Sequence, residues 1–420
     1  MMEYAKLRQE LKSRVQERMD YVRDYSDEEV DELIDEIMLE WEELSLYPVD
    51  TRKRLKRELF NTLRRLDILQ SFVDDSSVTE IMINGTNPIF VEQAGSLREL
   101  DVRFDSVEKL QDMIQKIVAG CNRVVNEATP IADARLSNGS RVNIVMKPIA
   151  LNGPIVTIRR FPDHPITMNR LVQIGSLSEE AAQFLQKLVQ AGYNLFISGG
   201  TGSGKTTFLN ALSGYIPREE RVITIEDSAE LQLQGIPNLV QLETRGGNAE
   251  GCREISIRDL IRASLRMRPD RIIVGEVRGG EAFDMMQCLN TGHDGSMSTG
   301  HANSAQDMLS RLENMVLMGM ELPLAAIRQQ IASGLDVIVH LGRLRDKSRK
   351  VLEIVEVLGY QGERIALNPL YCFEEQGEDE RGHVLGSLQR KGALRCEQKL
   401  KAAGLSQVSM DNAGADPCNR

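Results

Sequence analysis

The stretch Asn194-Leu-Phe-Ile-Ser-Gly-Gly-Thr-Gly-Ser-Gly-Lys-Thr-Thr207 decides the fold of this chain. It begins with a short apolar run, passes through a glycine-rich loop and enters a predicted helix near Gly204. The glycines and the Lys-Thr pair fit the G-x-x-x-x-G-K-[ST] spacing of a P-loop. Glycines let the backbone curl so that successive N–H groups point at a phosphate, and the following helix adds its positive N-terminal end. The predicted nucleotide-binding residues are Gly199, Gly200, Thr201, Gly202, Ser203, Gly204, Lys205, Thr206 and Thr207.

Two residues of this loop have predicted roles toward the nucleotide. Lys205 can reach the β- and γ-phosphates, because it follows the loop at the first turn of the helix. The Thr206 hydroxyl is a predicted ligand of the Mg²⁺ that accompanies the nucleotide. The spacing alone therefore indicates nucleotide binding, and hydrolysis needs further residues.

Composition bounds the class of protein. The chain has 420 residues, enough for two or three domains, and its 41% hydrophobic and 27% charged residues are typical of a soluble globular protein. The net charge of −11 argues against broad electrostatic attraction to nucleic acid. No apolar run approaches the roughly 20 residues that span a bilayer, and Met1 leads into charged sequence. The expectation is a cytoplasmic protein.

Residues 1–70 carry a helical pattern. Apolar residues recur at helical spacing from Leu7 onward, and Ser26 with Glu29 forms a capping box ahead of a second helix. A third helix is predicted from about residue 51, and three such helices indicate a small bundle. The basic face of the third helix, Arg52 to Arg65, either binds a partner or anionic lipid or is only solvated. The sequence leaves both possibilities open.

Residues 71–161 change to short strands and turns. The run Thr79–Ile83 alternates before the turn Asn84-Gly85, and strand character resumes at Pro88, which predicts a hairpin. With a helix over 106–121 and later strands, this segment is predicted to be a compact α/β domain with a mixed sheet. Residues 162–175 are the predicted linker to the next domain.

Residues 176–342 predict a larger α/β domain. The P-loop strand and two further strands, over 221–225 and 270–276, alternate with helices, and polar residues follow the strand ends. This order predicts an open parallel sheet. Residues 343–420 are predicted to hold a hairpin, over 349–360 and 363–373, followed by a polar and poorly patterned tail.

Acidic residues at the ends of two predicted strands can supply the carboxylates that hydrolysis needs in addition to the P-loop. Glu276 closes an apolar strand, a position from which it can hold Mg²⁺ through water or orient the attacking water. Glu226, Asp227 and Glu230 follow another strand, and strand ends at one edge of such a sheet converge on the ligand crevice. Spacing alone does not decide which of these three acts as a general base and which caps a helix.

Two of the five histidines, His293 and His301, lie in one short segment rich in glycine, serine and threonine. This placement suits sensing of a γ-phosphate or hydrogen bonding to Glu276. Metal ligation is the weaker alternative because no third ligand is spaced nearby, and a purely structural role is the plainest one.

Arginines cluster on both sides of the predicted linker. Four of them, Arg135, Arg141, Arg159 and Arg160, belong to the preceding domain. A guanidinium stabilises the charge that builds on a transferred phosphoryl group, although surface salt bridges account for most such residues. The second group surrounds the Glu276 strand and comprises Arg262, Arg266, Arg268, Arg271 and Arg278.

Four segments resemble, in order and spacing, the boxes of the type II/type IV secretion ATPase superfamily. The Walker A box is Gly199–Thr207, the Asp box Thr224–Leu231, the Walker B box Arg268–Gly279 and the His box Thr291–Ala302. Four ordered boxes together are a specific signature. The four-cysteine zinc module that often follows Walker B in the type II branch has no counterpart in this sequence, which favours the tight-adherence or type IV branch.

The segments before the linker resemble one branch of that superfamily. Asp133-Ala-Arg-Leu136, Gly139-Ser-Arg-Val-Asn143 and Thr157-Ile-Arg-Arg-Phe161 are similar to the N-terminal domain of the tight-adherence (Flp) pilus motors of the CpaF type. The helical leader and the tail are similar to that branch too, so the resemblance covers nearly the whole chain.

The resemblance implies an α/β fold: a RecA-like P-loop ATPase domain, a smaller PAS-like α/β N-terminal domain and an N-terminal helical bundle. ATP would bind between the two α/β domains, which the flexible linker joins. The resemblance also implies a role for each matching residue. Lys205 and Thr206 would be the phosphate and Mg²⁺ ligands, Glu230 the general base, and Glu276 the Walker B glutamate at the metal. His293 and His301 would be the His-box pair, and Arg141 and Arg159 the arginines that face the γ-phosphate.

The resemblance also implies partners. It predicts a homo-hexamer that extends or retracts a pilus, or drives secretion, through inner-membrane platform proteins. Association with the inner face of the cytoplasmic membrane would be peripheral, and no nucleic acid is expected.

Two other classes of protein compete with this interpretation. A RecA-like nucleic-acid translocase is disfavoured by the acidic balance and by only 5% aromatic residues. A nucleotide-gated scaffold without turnover is disfavoured by the acidic residues at 230 and 276, because a binding protein has little need of both.

Overall fold

A computed structural model describes residues 2–20, 23, 25–93, 96–121, 123–161, 165–246, 253–362 and 364–405. The chain divides into two compact units, residues 1–163 and 164–420. Unit 1 contains the predicted bundle together with the first α/β domain, and unit 2 contains the P-loop and everything that follows. The first residues of the predicted linker, 162–164, and the end of the tail, 406–420, lie outside the described residues.

Unit 1 begins with a three-helix bundle whose core is made of the apolar residues of all three helices. Leu11, Val30 and Leu55 are fully buried there. The predicted capping box is confirmed, because the Ser26 N–H donates to the Glu29 carboxylate (2.8 Å) and the Glu29 N–H donates to Ser26 Oγ (3.2 Å). The helices are α1 (Met2–Arg18), α2 (Asp27–Glu40) and α3 (Val49–Arg64), with a 3₁₀ turn at Glu42–Leu46.

The basic face of α3 is matched by acidic residues of α2. The Lys56 ammonium group lies 2.9 Å from Asp31 and 2.6 Å from Asp35. Arg64 and Arg65 both pair with Asp27, at 2.8 and 2.9 Å. Much of the charge that the sequence left open to lipid or to a partner is therefore neutralised within the bundle.

A six-stranded sheet in the order β3-β2-β1-β6-β5-β4 completes unit 1. The prediction of a mixed sheet was wrong: every pair is antiparallel, because most neighbouring strands follow each other in the chain through short turns. The predicted hairpin at Asn84-Gly85 is confirmed by the pairing of β1 with β2. The apolar face of α5 packs in the same core as the inward residues of the strands, among them Ile81, Val142 and Ile158. The elements are α4 (Gln70–Asp74) after a 3₁₀ turn at Asp67–Leu69, β1 (Val78–Asn84), β2 (Ile89–Gln93), β3 (Ser96–Glu99), α5 (Val107–Ala119), β4 (Ile131–Arg135), β5 (Arg141–Val145) and β6 (Ile155–Arg159).

Unit 2 is built on a nine-stranded sheet in the order β15-β14-β13-β12-β7-β11-β10-β8-β9. The strands from β12 to β9 in that order are parallel, which confirms the predicted parallel sheet, and β13 to β15 extend it as antiparallel neighbours. Its strands are β7 (Leu195–Gly199), β8 (Arg221–Glu226), β9 (Asn238–Glu243), β10 (Arg271–Val274), β11 (Met297–Gly300), β12 (Val337–Arg343), β13 (Arg349–Gln361), β14 (Arg364–Glu378) and β15 (Val384–Arg390).

Helices cover both faces of this sheet and bury two apolar cores. Along β7, Ile197 faces the core that includes α7 and α8, whereas Phe196 faces the core that includes α9 to α12. No helix among the described residues is both long enough and apolar enough to cross a membrane. The helices are α6 (Met168–Gln173), α7 (Glu179–Gln190), α8 (Lys205–Ser213), α9 (Ile257–Ser264), α10 (Glu281–Leu289), α11 (Ala305–Gly319), α12 (Leu324–Gly334) and α13 (Gln398–Ala402).

Two segments differ from the sequence interpretation. Within the predicted linker, residues 168–173 form α6, and Met168 and Leu171 are buried in the core of unit 2. The tail that the sequence indicated as poorly patterned continues β14 to Glu378 and adds β15, whose Val384 and Leu388 are buried. In both places a few apolar residues within a polar stretch are enough to anchor an element on an existing core.

Candidate active site

The P-loop joins β7 to α8 at the carboxyl edge of the parallel sheet. Gly199 ends β7 at φ 154°, and a Cβ there would lie 2.4 Å from the backbone oxygen of Leu341 in β12. Gly204 caps α8 in the left-handed region, at φ 94°. The buried Ser203 hydroxyl finds no hydrogen-bond partner among the described residues. The loop thus has the narrow, glycine-lined shape and the spare donor that suit a phosphate.

Lys205 is the cation of this loop. Its side chain curls back so that Nζ donates to the carbonyls of Gly199 (3.1 Å) and Gly200 (3.0 Å). Only 8% of the residue is exposed, and burial lowers the pKa of its ammonium group. A buried positive charge is stabilised by an anion, so the residues present fit the phosphates of a nucleotide.

His301 and Glu276 lie beside Lys205. The Lys205 ammonium nitrogen is 3.3 Å from His301 Nδ1, and His301 Nε2 is 2.9 Å from Glu276 Oε1. The structure brings them together because Glu276 follows β10 and His301 follows the adjacent parallel strand β11. Burial and the nearby Lys205 charge lower the pKa of His301, which keeps the imidazole neutral at pH 7. Arg278 holds the other Glu276 oxygen, at 2.7 Å.

The structure gives two of the acidic residues at the end of β8, Glu226 and Glu230, different surroundings. Glu226 is buried, and its Oε1 accepts the backbone N–H groups of Glu230 (2.8 Å) and Leu231 (3.0 Å). A Cβ on Gly275, the residue before Glu276, would lie 2.8 Å from Glu226 Cγ. Glu226 therefore shapes the turn that carries Glu230 and packs against the segment that carries Glu276. Glu230 remains half-buried, with its charge acting on the Lys205 ammonium group.

The structure places His293 away from this cluster within one copy of the chain. His293 precedes β11 and so lies at the amino edge of the parallel sheet, whereas His301 follows β11 at the carboxyl edge. Its Nδ1 lies 3.3 Å from the Cys288 carbonyl and 3.4 Å from Thr291 Oγ1 at the end of α10. The expectation that both histidines face the same phosphate or Glu276 is therefore corrected for His293, because a strand lies between them.

Three of the four candidate arginines that precede the predicted linker form a row across the sheet of unit 1. Arg135 pairs in register with Arg141, and Arg141 pairs with Arg159, with Glu80 beyond Arg159 on β1. Their side chains lie on the face opposite the buried Val142 and Ile158, since side chains alternate along a strand. The row therefore places three guanidinium groups side by side on one face of the sheet.

The remaining arginines divide into structural and site residues. Arg160 donates to the backbone oxygens of Asp75 and of Val78 (3.3 Å) within unit 1. Arg271, 1% exposed, pairs with Glu220 and donates to the Val189 carbonyl (2.7 Å). Arg262 pairs with Asp284 at 3.0 Å, and of the group around β10 it is Arg278 that contacts Glu276.

One pair of residues at the site was missed by the sequence analysis. Ser198 Oγ, directly before the P-loop glycines, lies 2.8 Å from Nδ1 of the buried His340 in β12. The only sequence signal was a histidine inside an otherwise apolar strand, Val337–Leu341. Its partner is 142 positions away, so no local pattern indicates the contact.

The parallel sheet, the P-loop with its buried lysine and the glutamate beside it define a P-loop ATPase of the RecA-like class. Comparison with known proteins identifies the family: residues 63–409 match the sequence model of the family described as "Type II/IV secretion system protein". The chain belongs to this family and is an ATPase of type II/IV secretion systems.

Relatives and a solved structure agree with this assignment. The type IV secretion system protein PtlH of Bordetella pertussis is 33% identical over 316 residues, which are 69% of this chain and 93% of PtlH. The conjugal transfer protein TrbB of Rhizobium radiobacter is 32% identical over 312 residues, 73% of this chain and 92% of TrbB. The X-ray structure of the Legionella pneumophila ATPase DotB covers 70% of this chain and 80% of that chain, with a TM-score of 0.52 at 20% identity, and so shares the fold.

Proposed function

We propose that this chain is the cytoplasmic motor of a pilus or secretion system and that it belongs to the tight-adherence (Flp) branch, with motors of the CpaF type. The observation that carries the proposal is the continuous cluster of Lys205, His301 and Glu276 at the carboxyl edge of the sheet. A binding protein needs the lysine, whereas a neutral imidazole that lies between it and a carboxylate suits a site that distinguishes ATP from ADP.

The residues of the site have different proposed roles in ATP hydrolysis. The P-loop backbone and Lys205 hold the phosphates, and Glu230, half-buried beside them, serves as general base for the attacking water. His301, which lies between Lys205 and Glu276, senses whether a γ-phosphate is bound and affects Glu276 accordingly. Mg²⁺, when bound through Thr206 and Glu276, would neutralise the charge of the phosphates.

In this proposal, the arginine row of unit 1 couples the binding of ATP to a movement of unit 1. Arg141 and Arg159 lie side by side on the sheet, and two guanidinium groups at this spacing suit the charge of a γ-phosphate. In this proposal unit 1 closes on ATP and opens after hydrolysis, so the energy of phosphate binding becomes movement. His293 acts outside this cluster.

The proposed assembly is a homo-hexamer on the inner face of the cytoplasmic membrane. Peripheral contact with inner-membrane platform proteins would transmit each closure to the pilus or secretion machinery. This part of the proposal rests on the resemblance of the sequence to CpaF-type motors and on membership in the secretion family.

A RecA-like nucleic-acid translocase is the second candidate function. The relative TrbB is a conjugal transfer protein, but the net charge of −11 and the 5% aromatic content of this chain disfavour contact with DNA. ATPase turnover is therefore expected to be unchanged by single-stranded DNA. A several-fold stimulation at low salt would favour the translocase.

The Lys205→Ala variant tests whether the P-loop is the hydrolytic site. Loss of the cation that faces the transferred phosphoryl group is expected to lower turnover of ATP at least about a hundredfold. Lys401→Ala is the matched control, because that lysine is 67% exposed on α13. Turnover in the Lys205→Ala variant equal to that of the control would contradict the assignment.

A further inference from the structure

A buried histidine connects the P-loop strand to the segment that carries His301. His340 in β12 is opposite Ser198 in the parallel pairing of β12 with β7, and its Nδ1 lies 2.8 Å from Ser198 Oγ. His340 is 4% exposed and Ser198 is fully buried. The next residue along β7 is Gly199, the first glycine of the P-loop.

The same imidazole reaches the other side of the site. The backbone of Asn303, which is two residues after His301 and just before α11, is near enough to this imidazole to favour its protonated form. Glu353, its register partner on β13, accepts the N–H of Ala305 with Oε1 at 2.7 Å. Two neighbouring side chains of the sheet therefore lie beside the short segment 303–305 that joins His301 to α11.

The surroundings keep this imidazole neutral. Glu353 and Asp307 favour its protonation, but burial and the Lys205 charge oppose it, and burial is the largest effect, so the pKa of His340 lies below its usual value. A cation at this place would also lie next to the positive N-terminus of α11. A neutral imidazole has one donor and one acceptor, which suits a serine hydroxyl on one side and the backbone of Asn303 on the other.

We propose that His340 is a positioning residue for ATP hydrolysis, which fixes the distance between the P-loop strand and the His301 segment. Its bond to Ser198 holds the end of β7, and its register partner Glu353 holds the chain after His301 through the N–H of Ala305. Lys205, His301 and Glu276 then face one phosphate together. The inference rests on the proposed hydrolysis at this site and goes beyond it by assigning a residue that is not one of the predicted phosphate, metal or general-base residues.

Steady-state kinetics of the full-length His340→Leu variant test the proposal. Leucine removes the hydrogen bond to Ser198 in a similar volume, and kcat for ATP is expected to fall about ten- to a hundredfold with KM nearly unchanged. His340→Gln, whose amide can still bond to Ser198, is expected to recover part of the lost kcat. Ser198→Ala, a small change that leaves the fold intact, is expected to lower kcat in the same direction.

A matched control separates positioning from general loss of stability. Asn368 is also buried in unit 2, and it bonds to Glu356 (2.7 Å) and to the Ala393 carbonyl (2.9 Å), which lie on β13 and in the segment before α13. Asn368→Leu therefore removes buried hydrogen bonds of unit 2 outside the site. It is expected to lower the thermal midpoint like His340→Leu but to keep the kcat of the wild type.

The double variant His301→Ala with His340→Leu gives the second readout. If His340 acts through the His301 segment, the double variant is no slower than His301→Ala alone, because the positioned group is already absent. Independent, multiplicative losses of kcat would overturn the proposal, and so would a wild-type kcat in His340→Leu or in Ser198→Ala. A wild type without ATP turnover would instead overturn the proposed function itself.

Discussion

Replacement of Gly199 by alanine tests how closely β12 lies against the P-loop strand. The new Cβ would lie 2.4 Å from the Leu341 backbone oxygen and 2.6 Å from Ser203 Oγ. The serine can rotate, whereas the Leu341 oxygen belongs to a strand paired with β7 and cannot. Overpacking of this kind costs about 1–3 kcal/mol. Alanine at the φ of 154° adds about 1–3 kcal/mol of backbone strain.

Together these terms predict a loss of about 2–6 kcal/mol in the free energy of unfolding of unit 2. At about 2–4 °C per kcal/mol, the thermal midpoint falls by about 4–24 °C. Gly200→Ala is the matched control, because a Cβ there meets no heavy atom within 4 Å. Its effect is expected to stay within about 1 kcal/mol.

Differential scanning calorimetry of the nucleotide-free protein measures the difference between the two variants. Fluorescence of Trp41, the single tryptophan, reports the helical bundle of unit 1 separately. The same midpoint for Gly199→Ala and Gly200→Ala would refute the close approach of Leu341 and with it the position of β12 beside the P-loop.

Two further predictions concern the arginine row and the two histidines whose pKa values are lowered. Arg141→Ala is expected to slow hydrolysis at least about tenfold while it leaves ADP affinity nearly intact, since the γ-phosphate is what ADP lacks; unchanged turnover would place that arginine outside the site. Burial lowers the pKa of His301 and of His340, so the unfolded chain binds protons that the folded chain does not, and stability is expected to fall as the pH drops below about 6.5. Between pH 8 and pH 5, the thermal midpoint of His340→Leu should change less than that of the wild type. His383→Leu is the control: Asp379 raises the pKa of His383, so the thermal midpoint of this variant should fall with pH at least as much as that of the wild type. Identical pH profiles for the wild type and His340→Leu would contradict the buried neutral imidazole.

The sequence predicted those parts of the site that depend on short-range spacing or on strand direction. The P-loop is a contiguous motif, so its position and the role of Lys205 follow from local geometry. Glu276 and His301 lie together because each follows a parallel strand, and parallel strands end at the same edge. The same rule, applied to the extent of β11, places His293 at the other edge, which the short separation in sequence obscured.

Contacts between segments that lie far apart along the chain could not be predicted from the sequence. His340 and Ser198 meet because β12 is the neighbour of β7, a strand order that no local pattern gives. Likewise, the basic face of α3 looks like a free surface until α2 is placed beside it with Asp27, Asp31 and Asp35. Periodicity gives the elements, and packing decides which charged faces are paired.

The most direct test of the motor proposal is Mg-ATP turnover of the purified protein over a range of protein concentrations, with light scattering on the same samples. Glu276→Gln removes the carboxylate beside His301, and Glu179→Gln, on the exposed first turn of α7, is its control. Specific activity is expected to rise with protein concentration as a ring assembles, and to be lost in Glu276→Gln but not in Glu179→Gln. A monomer that hydrolyses ATP at full rate, or a Glu276→Gln variant as active as its control, would contradict the motor proposal.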